Sequence, residues 1–430
     1  MITTAEVYLW GTRIGIVHQS DTDHSARFEY DKGFIKSGIE VAPIMMPLSE
    51  MVYEFPELGR TDSFRGLPGL LADSLPDKFG NAVINEWLAL HGREPASFTA
   101  IERLCYTGKR GMGAIEYVPA VGVDATEESL DVTELAEFAS YVLNDKKNKS
   151  IQAENINKMS LIEVGSSAGG ARAKAVVAWN RESGEIRSGQ IDAGKGFEYW
   201  IIKLDGVKKN GDHEITDEKQ YTSIEYAYYL MAKDMGIDME ECRILEKDGL
   251  KHFMTKRFDR TPDGKIHMQS LAAIGHYDYN FPGLCSYEMY FDIARRLGIG
   301  KRGMEQLFRR AVFNIASVNC DDHVKNFSFL MDKSGTWSIS PAYDLCFAYN
   351  PGNRWISEHQ MTLNGKKKDI SVADMEVCGA HAGLTKKKCR EIIDEANDVI
   401  SKWPDFAASA GITEKRAAQV YEMIKKNGIA

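Results

Sequence analysis

The segment that decides the fold is NCDDHVKNFSFLMDKSGTWSISPAYDL, residues 319–345. It carries five charged or polar side chains within six positions: Asp321, Asp322, His323, Lys325 and Asn326. A further acid, Asp344, follows at the end of an apolar-flanked stretch. Burying so many charges without partners would be very costly. We therefore expect these side chains either to be solvated or to surround a charged ligand.

The spacing of Asp321 and Asn326, five positions apart after a predicted helix, is typical of a protein-kinase catalytic loop. In that loop the Asp accepts the proton of the substrate hydroxyl, and the Asn amide oxygen holds a metal ion. Asp344 stands where a second metal-binding carboxylate is required, beyond a predicted strand pair. One Asp and one Asn suit Mg²⁺, which also takes phosphate oxygens and waters. Alone the spacing is weak evidence for a kinase. Asp322 or His323, taken singly, is more often a turn residue or a polar residue with its hydrogen bonds satisfied.

Upstream residues supply the other parts of a kinase in the required order. EYWIIKL, residues 198–204, ends a predicted strand with Lys203, in the role of the lysine that pairs nucleotide phosphates. Glu225 follows on a predicted helix, where a kinase keeps the Glu that orients that lysine. Thr222 and Glu225 also match a capping box, so a structural role for Glu225 stays equally open.

Two glycine-rich stretches are candidates for phosphate binding. GSSAGGARAK, residues 165–174, has little side-chain bulk and many backbone N–H groups that suit phosphates. It is not a Walker loop, because Ala171 and Arg172 stand where Lys and Ser or Thr belong, and it is not the usual kinase GxGxxG. Its place before Lys203 favours phosphate binding over a plain turn. For GKRGMG, residues 108–113, we predict a turn between strands.

The bulk composition indicates an ordinary globular protein with two or three domains: 430 residues, 43% hydrophobic and 27% charged. A net charge of -9 argues against a protein that coats duplex DNA, so any nucleic-acid contact is expected through a partner. Seven scattered cysteines lack metal-ligand spacing and suit a reducing cytosol. Because we find no signal peptide and no apolar run of about 18 residues, we expect a cytoplasmic protein.

The predicted elements change character along the chain. Short strands are expected at 5–19, 26–31 and 40–48, followed by a helix from Asp77 to Leu90 with Pro76 at its start. Residues 120–160 are polar and acidic, which favours a surface helix and a linker. Strands and one helix are expected up to about 260, and helices dominate beyond about 286. The sequence therefore predicts an α+β protein that is β-rich first and α-rich last.

Taken together, these motifs resemble the HipA-type serine/threonine protein kinases, toxins of bacterial type II toxin–antitoxin systems. The resemblance covers essentially the whole chain. LLADSLPDKFGNAVI (70–84) and GKRGMGAIEYVP (108–119) resemble the family's N-terminal subdomain. SSAGGARAKAVVAW (166–179) resembles its phosphate loop, WIIKL (200–204) its nucleotide lysine, KRFDR (256–260) its hinge, and the opening segment its catalytic core.

The resemblance implies a protein-kinase-like two-lobe fold with a β-rich N-terminal region and an all-α C-lobe. The implied domains are a HipA N-terminal subdomain at 1–150, a kinase N-lobe at 151–260 and a helical C-lobe with the catalytic core at 261–430. It also implies an ATP- and Mg²⁺-dependent site, in which Asp321 is the catalytic base and Asn326 and Asp344 bind the metal.

Further implied nucleotide contacts include the loop residues Gly169, Gly170, Ala171, Arg172, Ala173 and Lys174. The others are Lys203, the backbone of Lys256, Arg257 and Phe258 at adenine, and the lining residues His323, Lys325, Asn326, Tyr343 and Asp344. Ser167 corresponds to the serine that such kinases autophosphorylate to stop their activity. Its neighbour Ser166 is the alternative modified residue.

The resemblance further implies a growth-inhibiting toxin that phosphorylates a translation enzyme such as an aminoacyl-tRNA synthetase. The implied partner is a small HipB-like helix-turn-helix antitoxin that binds both the kinase and DNA. Two alternatives remain: a kinase that acts on a small molecule, and a catalytically silent binding module that acts with an antitoxin in repression. The presence of Asp321, Asn326, Asp344 and Lys203 argues against the silent module.

Overall fold

The computed structural model describes residues 2–20, 22–121, 129–143, 172–207 and 220–429. The chain divides into two compact units. The first unit comprises Met1–Ile39, Leu48–Thr222 and Glu241–His267, and the second comprises Glu40–Pro47, Ser223–Glu240 and Met268–Ala430. The predicted domain boundaries near residues 150 and 260 stay predictions.

Short antiparallel strands form the first sheet of the first unit. They are β1 (Thr4–Leu9), β2 (Thr12–His18), β3 (Arg27–Tyr30), β4 (Tyr53–Glu54) and β5 (Ile115–Val118), in the order β4-β3-β2-β1-β5. Every second residue of β1 is buried, as expected for a strand with one face in a core. The strands predicted at 5–19 and 26–31 are confirmed.

Helices connect the strands of this sheet: α1 (Lys32–Ile35), α2 (Gly69–Ala72), α3 (Lys78–Leu90) and α4 (Ala100–Thr107). The predicted helix after Pro76 is confirmed as α3, which Asp77 caps by accepting a hydrogen bond from the Gly80 N–H at 2.6 Å. Helix α5 (Val132–Leu143) lies in the stretch predicted as surface helix and linker. Its Leu135 and Phe138 are nevertheless buried in a core shared with α3 and the second sheet.

The strand predicted at 40–48 is wrong. These residues form bends and turns, and most of them belong to the second unit, where the Trp337 indole donates to the Glu40 carbonyl at 3.2 Å. Pro43 and Pro47 lack the N–H groups that a strand would need to pair on both sides. The apolar content of the segment therefore serves packing without sheet formation.

The second sheet carries the predicted nucleotide lysine. Its antiparallel strands are β6 (Lys174–Asn180), β7 (Ile186–Ser188), β8 (Phe197–Lys203), β9 (Cys242–Lys247) and β10 (Leu250–Lys256), in the order β7-β6-β8-β10-β9. Trp200 and Ile202 of β8 are fully buried. A small hairpin, β11 (Arg260–Thr261) with β12 (Gly264–Lys265), follows β10.

The second unit is mainly helical. It contains most of α6 (Tyr221–Asp234), then α7 (Leu271–Gly275), α8 (Tyr287–Arg296), α9 (Lys301–Ala316), α10 (Val372–His381), α11 (Lys386–Ser401), α12 (Trp403–Ser409) and α13 (Glu414–Asn427). A three-stranded sheet, β13 (His267–Ser270), β14 (Ser328–Met331) and β15 (Trp337–Ile339), accompanies these helices, so the region expected to be all-α is mainly, not entirely, helical. Strands β14 and β15 are the predicted pair between Asn326 and Asp344. In the described ranges we find no helix with the length and hydropathy of a membrane span.

Candidate active site

The predicted catalytic segment leaves α9 through a strained turn. Val318, two residues after the helix, has φ = +57°, a conformation that β-branched residues rarely adopt. Backbone hydrogen bonds hold the turn: the Asn319 N–H donates to the Asn314 carbonyl at 2.9 Å, and the Cys320 N–H donates to the Ala348 carbonyl at 3.0 Å. Such strain persists only where the surroundings over-determine the backbone, and it is frequent at functional sites.

Asp321 and Asn326 are joined by a direct hydrogen bond. The Asn326 Nδ2 donates to the main-chain carbonyl of Asp321 at 2.8 Å. Within the described part of the chain, Asn326 Oδ1 accepts no hydrogen bond, so this oxygen is available to a cation. The Asp321 side chain is 43% exposed, and its Oδ1 lies 3.8 Å from His323 Nε2. The two residues are thus in contact, and their catalytic and metal-binding roles stay predictions.

Tyr343 connects the segment of Asp344 to the predicted catalytic loop. Its hydroxyl donates to the Lys325 carbonyl at 2.7 Å and accepts from Ser328 Oγ at 2.5 Å. Lys325 and Tyr343, which are in contact, each come directly before a predicted metal ligand. These ligands are Asn326 and Asp344. Asp344 has φ = +53°, a left-handed conformation that is uncommon outside glycine.

The donor chemistry around Asn326 and Asp344 fits Mg²⁺. Both side chains offer the oxygen ligands that this ion prefers, and the remaining positions suit phosphate oxygens and waters. Among the described residues, no group of three or more His, Cys, Asp or Glu side chains forms an all-protein metal cage.

The predicted lining residues His323 and Lys325 both lie against Tyr279. The His323 ring centroid is 6.1 Å from that of Tyr279, and the Lys325 ammonium lies 5.1 Å from the Tyr279 ring centroid. His323 Nδ1 also accepts from the Lys325 N–H at 3.3 Å. A small depression, whose walls include Tyr279, Cys285 and Gln360, lies beside His323.

Asp322 has a role that the sequence analysis missed. Its side chain is fully buried and accepts three hydrogen bonds: from Tyr287 Oη at 2.7 Å, from the Gln360 N–H at 2.7 Å and from His359 Nδ1 at 3.0 Å. Burial alone would lower the pKa of the His359 imidazole, but the adjacent Asp322 carboxylate raises that pKa to about 10. The doubled acid was a weak signal for Asp322. Nothing local to His359, 37 positions away, pointed to this pair.

Lys203 lies at the end of β8 and is only 7% exposed. Its ammonium is 5.8 Å from the Phe253 ring centroid on β10. In the sheet register Lys203 stands directly opposite Lys174, the first residue of β6. The Lys174 ammonium, also buried, lies 4.0 Å from Asp77 Oδ2, so an acid of the N-terminal region faces it.

Most of the predicted phosphate loop lies outside the described residues. This holds for Ser166, Ser167, Gly169, Gly170 and Ala171. Of the described part, the Arg172 guanidinium contacts the Tyr221 ring, and Ala173 is buried and accepts from the Leu204 N–H at 3.0 Å. The roles predicted for the loop stay predictions.

The predicted hinge uses its backbone within the protein. The Lys256 N–H donates to the Glu241 carbonyl and the Arg257 N–H to the Tyr199 carbonyl, both at 2.9 Å. Contacts of these two residues with an adenine ring would therefore have to use other atoms. The predicted adenine contact at Phe258 stays a prediction.

A buried ion cluster follows the hinge. The Asp259 carboxylate accepts from Arg257 at 2.9 and 2.7 Å, from Arg260 at 2.8 Å and from the Gly113 N–H at 2.7 Å. Burial alone would raise the pKa of Asp259, but the two guanidinium groups outweigh it and hold that pKa well below its usual range. Asp259 is therefore ionised at neutral pH and fixes the chain after the hinge.

The GKRGMG loop serves this cluster. The Gly111 and Gly113 carbonyls accept from Arg260 at 2.9 and 3.0 Å, and the Lys109 carbonyl accepts from the Lys265 ammonium at 2.6 Å. Because the loop presents carbonyl oxygens to cations, its chemistry differs from that of a phosphate loop. The predicted turn between strands is wrong in one respect: the loop joins helix α4 to strand β5.

The capping-box alternative for Glu225 is wrong. Gln220 has φ = +76°, so α6 begins at Tyr221 and places Thr222 inside the helix. The Thr222 hydroxyl makes no hydrogen bond in the described part of the chain. Glu225 is 2% exposed within α6, and its predicted role beside the nucleotide lysine stays a prediction.

Comparison with known proteins identifies the family. The model of the HipA-like C-terminal domain matches residues 166–403, and that of the HipA N-terminal domain matches residues 5–118. Two relatives come from Sinorhizobium fredii (strain NBRC 101917 / NGR234). The protein named "Putative kinase Y4dM" is 30% identical over 221 residues, covering 47% of this chain and 50% of the relative. "Putative kinase Y4mE" is 24% identical over 193 residues, covering 40% and 44%.

The chain thus spans about half the length of the curated relatives it matches. Among solved structures, that of the Shewanella oneidensis MR-1 toxin–antitoxin system of HipA, HipB and operator DNA is similar with a TM-score of 0.68 at 16% identity. The match covers 98% of this chain and 95% of that one, which confirms an α+β, protein-kinase-like fold similar to that of HipA. With both family models matched in chain order, and the C-terminal model covering more than half of its length, this chain belongs to the HipA family.

Proposed function

We propose that this chain is an ATP- and Mg²⁺-dependent serine/threonine protein kinase. One arrangement carries the proposal: the Asp321 carbonyl holds the Asn326 amide, and Tyr343 holds the segment of Asp344 against Lys325. It supports a shared role for the partly exposed Asp321 carboxylate and for the oxygens of Asn326 and Asp344, the proposed metal ligands. The names of the Sinorhizobium fredii relatives support a kinase as well.

Each residue has a definite task in this reaction. Asp321 accepts the proton of the incoming hydroxyl, and Asn326 Oδ1 and the Asp344 carboxylate hold the ion. Mg²⁺, when bound, neutralises charge on the phosphate oxygens. Lys203 adds a fixed positive charge for the same oxygens. The protein thus contributes positioning and electrostatic stabilisation, which dominate phosphoryl transfer.

Ser167 is the proposed site of autophosphorylation, with Ser166 as its alternative. A phosphoserine carries about -1.5 to -2 charge units at neutral pH, so beside ATP phosphates it would be strongly repelled. The loop would then leave the site and activity would stop. Mass spectrometry after incubation with ATP tests this: phosphate on neither serine, with activity nevertheless lost, would contradict the switch.

The proposed partner is a HipB-like helix-turn-helix antitoxin, with DNA contacted only through it. The similar Shewanella structure contains HipA, HipB and operator DNA, and the net charge of -9 argues against direct coating of DNA by this chain. The proposed substrate is a translation enzyme such as an aminoacyl-tRNA synthetase in the cytoplasm. A phosphoproteome comparison between cells that express the native chain and Asp321→Asn would identify it.

The decisive experiment compares Asp321→Asn with the native chain. Because loss of a general base costs about 10²–10⁴-fold, we expect transfer of labelled phosphate from ATP to protein, and toxicity, to be lost. Asp332→Asn, the same exchange in the turn between β14 and β15, is the matched control and should stay active. Unchanged toxicity of Asp321→Asn would favour the silent binding module, and label on a metabolite would favour the small-molecule kinase.

A further inference from the structure

Asp322 connects the catalytic loop to three other parts of the second unit. Tyr287 is the first residue of α8, and the pair His359 and Gln360 belongs to the segment before α10. The connection extends to α9, because Asn314 Nδ2 donates to the Tyr287 hydroxyl at 3.1 Å. Asp322 therefore accepts hydrogen bonds from α8 and from the segment before α10, and α8 is itself hydrogen-bonded to α9.

The burial of Asp322 demands a counter-charge. Its side chain has no exposure, whereas that of the adjacent Asp321 is 43% exposed. A buried carboxylate is stable only when it is paired and hydrogen-bonded. In the described residues His359, itself 6% exposed, is the ionisable base in contact with Asp322. The Tyr287 hydroxyl and the Gln360 N–H satisfy further lone pairs but bring no charge.

We propose that His359, as an imidazolium, is a positioning residue for the catalytic loop. By fixing the Asp322 carboxylate it fixes the peptide that joins Asp322 to Asp321. That peptide contains the Asp321 carbonyl, which holds the Asn326 amide. The inference rests on the proposed kinase function and extends it to a residue that touches neither Asp321 nor Asn326 through its side chain.

This position in the network separates catalysis from nucleotide binding. A small displacement of the loop misplaces Asp321 and Asn326 relative to the reacting atoms. Replacing a residue that hydrogen-bonds to a functional group and orients it typically lowers activity about 10–100-fold. Lys203 lies on β8, away in the chain from the loop of Asp321, and we expect replacement of His359 to leave the Lys203 side chain unchanged. Because Asn326 is also a predicted nucleotide contact, the expected signature is a kcat that falls much further than nucleotide affinity.

The test uses His359→Gln in the full chain, with Mg²⁺–ATP as substrate and Mg²⁺–ADP as the binding probe. We expect kcat to fall about 10–100-fold, with KM for ATP and Kd for ADP within about twofold of native. The double variant Asp322→Asn with His359→Gln removes the uncompensated carboxylate, so it should regain at least about threefold in kcat over the single variant. His381→Gln is the matched control, because His381 pairs with Asp292 at 2.9 Å with 41% of its side chain exposed.

A His359→Gln variant that keeps kcat within about twofold of an active native chain overturns the inference alone. The inference is also overturned if nucleotide affinity falls by the same factor as kcat. A native chain that transfers no phosphate overturns the proposed function, and this inference with it. Should His359→Gln fail to fold, Tyr287→Phe, which removes one donor and keeps the ring, carries the test. We expect it to lower kcat about threefold to tenfold at constant ADP affinity, and unchanged kcat would overturn the inference.

Discussion

At the residue scale, Asp344 combines a charge with an unusual backbone conformation. The charge is required for the proposed metal, and the left-handed backbone directs the side chain from a sharp turn. Aspartate and asparagine are the residues other than glycine that adopt this conformation with least strain. Substitutions can therefore separate the two properties.

We expect Asp344→Asn to keep the fold and lose the activity. Replacing a residue that hydrogen-bonds to a metal ligand typically costs about 10–100-fold in activity. Loss of the ligand itself should therefore lower kcat/KM by more than about a hundredfold. Asp344→Ala should in addition lower the free energy of unfolding by about 1–2 kcal/mol, because alanine is strained at positive φ. Asp369→Asn is the control, since exposed Asp369 has φ = +51°. Equal activities of Asp344→Asn and Asp369→Asn would contradict the metal role.

The buried pair of His359 and Asp322 predicts a pH dependence of stability. The pKa of His359 in the folded chain, about 10, lies above its ordinary value of 6.5. The stabilisation is therefore complete below about pH 6.5 and is lost as the pH rises through about 10. Asp322 and the Cys320 thiol are the titratable groups that face this imidazole.

Urea unfolding of the native chain and of the double variant Asp322→Asn with His359→Gln, at about pH 6, 8 and 10.5, measures this effect. We expect the advantage of the native chain in free energy of unfolding to decrease toward the highest pH. A difference that stays constant over this range would show that His359 does not carry the charge.

At the element scale, Asp77 serves helix α3 with one oxygen and strand β6 with the other. Its Oδ1 accepts from the Gly80 N–H, and its Oδ2 lies 4.0 Å from the Lys174 ammonium. Asparagine is as good an N-cap as aspartate, whereas alanine is not. The two contributions can therefore be separated by comparing two variants.

We expect stability to decrease in the order native, Asp77→Asn, Asp77→Ala. Asp77→Asn loses only the charge facing buried Lys174, a cost of about 3 kcal/mol at most, and Asp77→Ala loses about 1 kcal/mol more with the cap. Urea unfolding measures both differences. In the control Asp31→Asn, the lost ion pair with Arg13 is at the surface, so the change in stability should be small compared with that of Asp77→Asn. Equal stabilities of the two Asp77 variants would contradict the capping role.

The elements that the sequence predicted well are those set by local pattern. Helix α3 follows from Pro76 and Asp77, and the pair Asp321 and Asn326 follows from a short spacing within one loop. The strand predicted at 40–48 is wrong because two of its residues are prolines, which lack the N–H groups that hydrogen-bond to a neighbouring strand. Apolar content alone does not form a sheet.

Contacts between distant residues left no local pattern. Asp322 and His359 are 37 positions apart, and Asp259 and Gly113 are 146 apart. Each pair combines common residue types whose partnership exists only after tertiary folding. The sequence therefore predicted the groups proposed to act on the substrate, and it did not predict the groups that hold them.

At the scale of the whole molecule, all seven cysteines are buried thiols. Burial raises the pKa of Cys105 and of Cys285 to about 12, which suppresses the reactive thiolate. We expect a thiol reagent such as Ellman's reagent to modify none of them rapidly in the native chain and all seven in guanidinium chloride. Rapid modification of one native thiol, located by mass spectrometry, would contradict the burial described here.

The loop 108–113 gives the N-terminal region a second task. It supplies the amide that binds Asp259 and two carbonyls that bind Arg260. Asp259 and Arg260 follow β10, the strand that leads to the proposed adenine site. A gene truncated so that translation starts beyond residue 118 would leave two guanidinium groups crowded around one acid, with these acceptors gone. A fragment that begins beyond residue 118 is therefore expected to be insoluble when it is expressed alone, and the two parts should be produced as one chain.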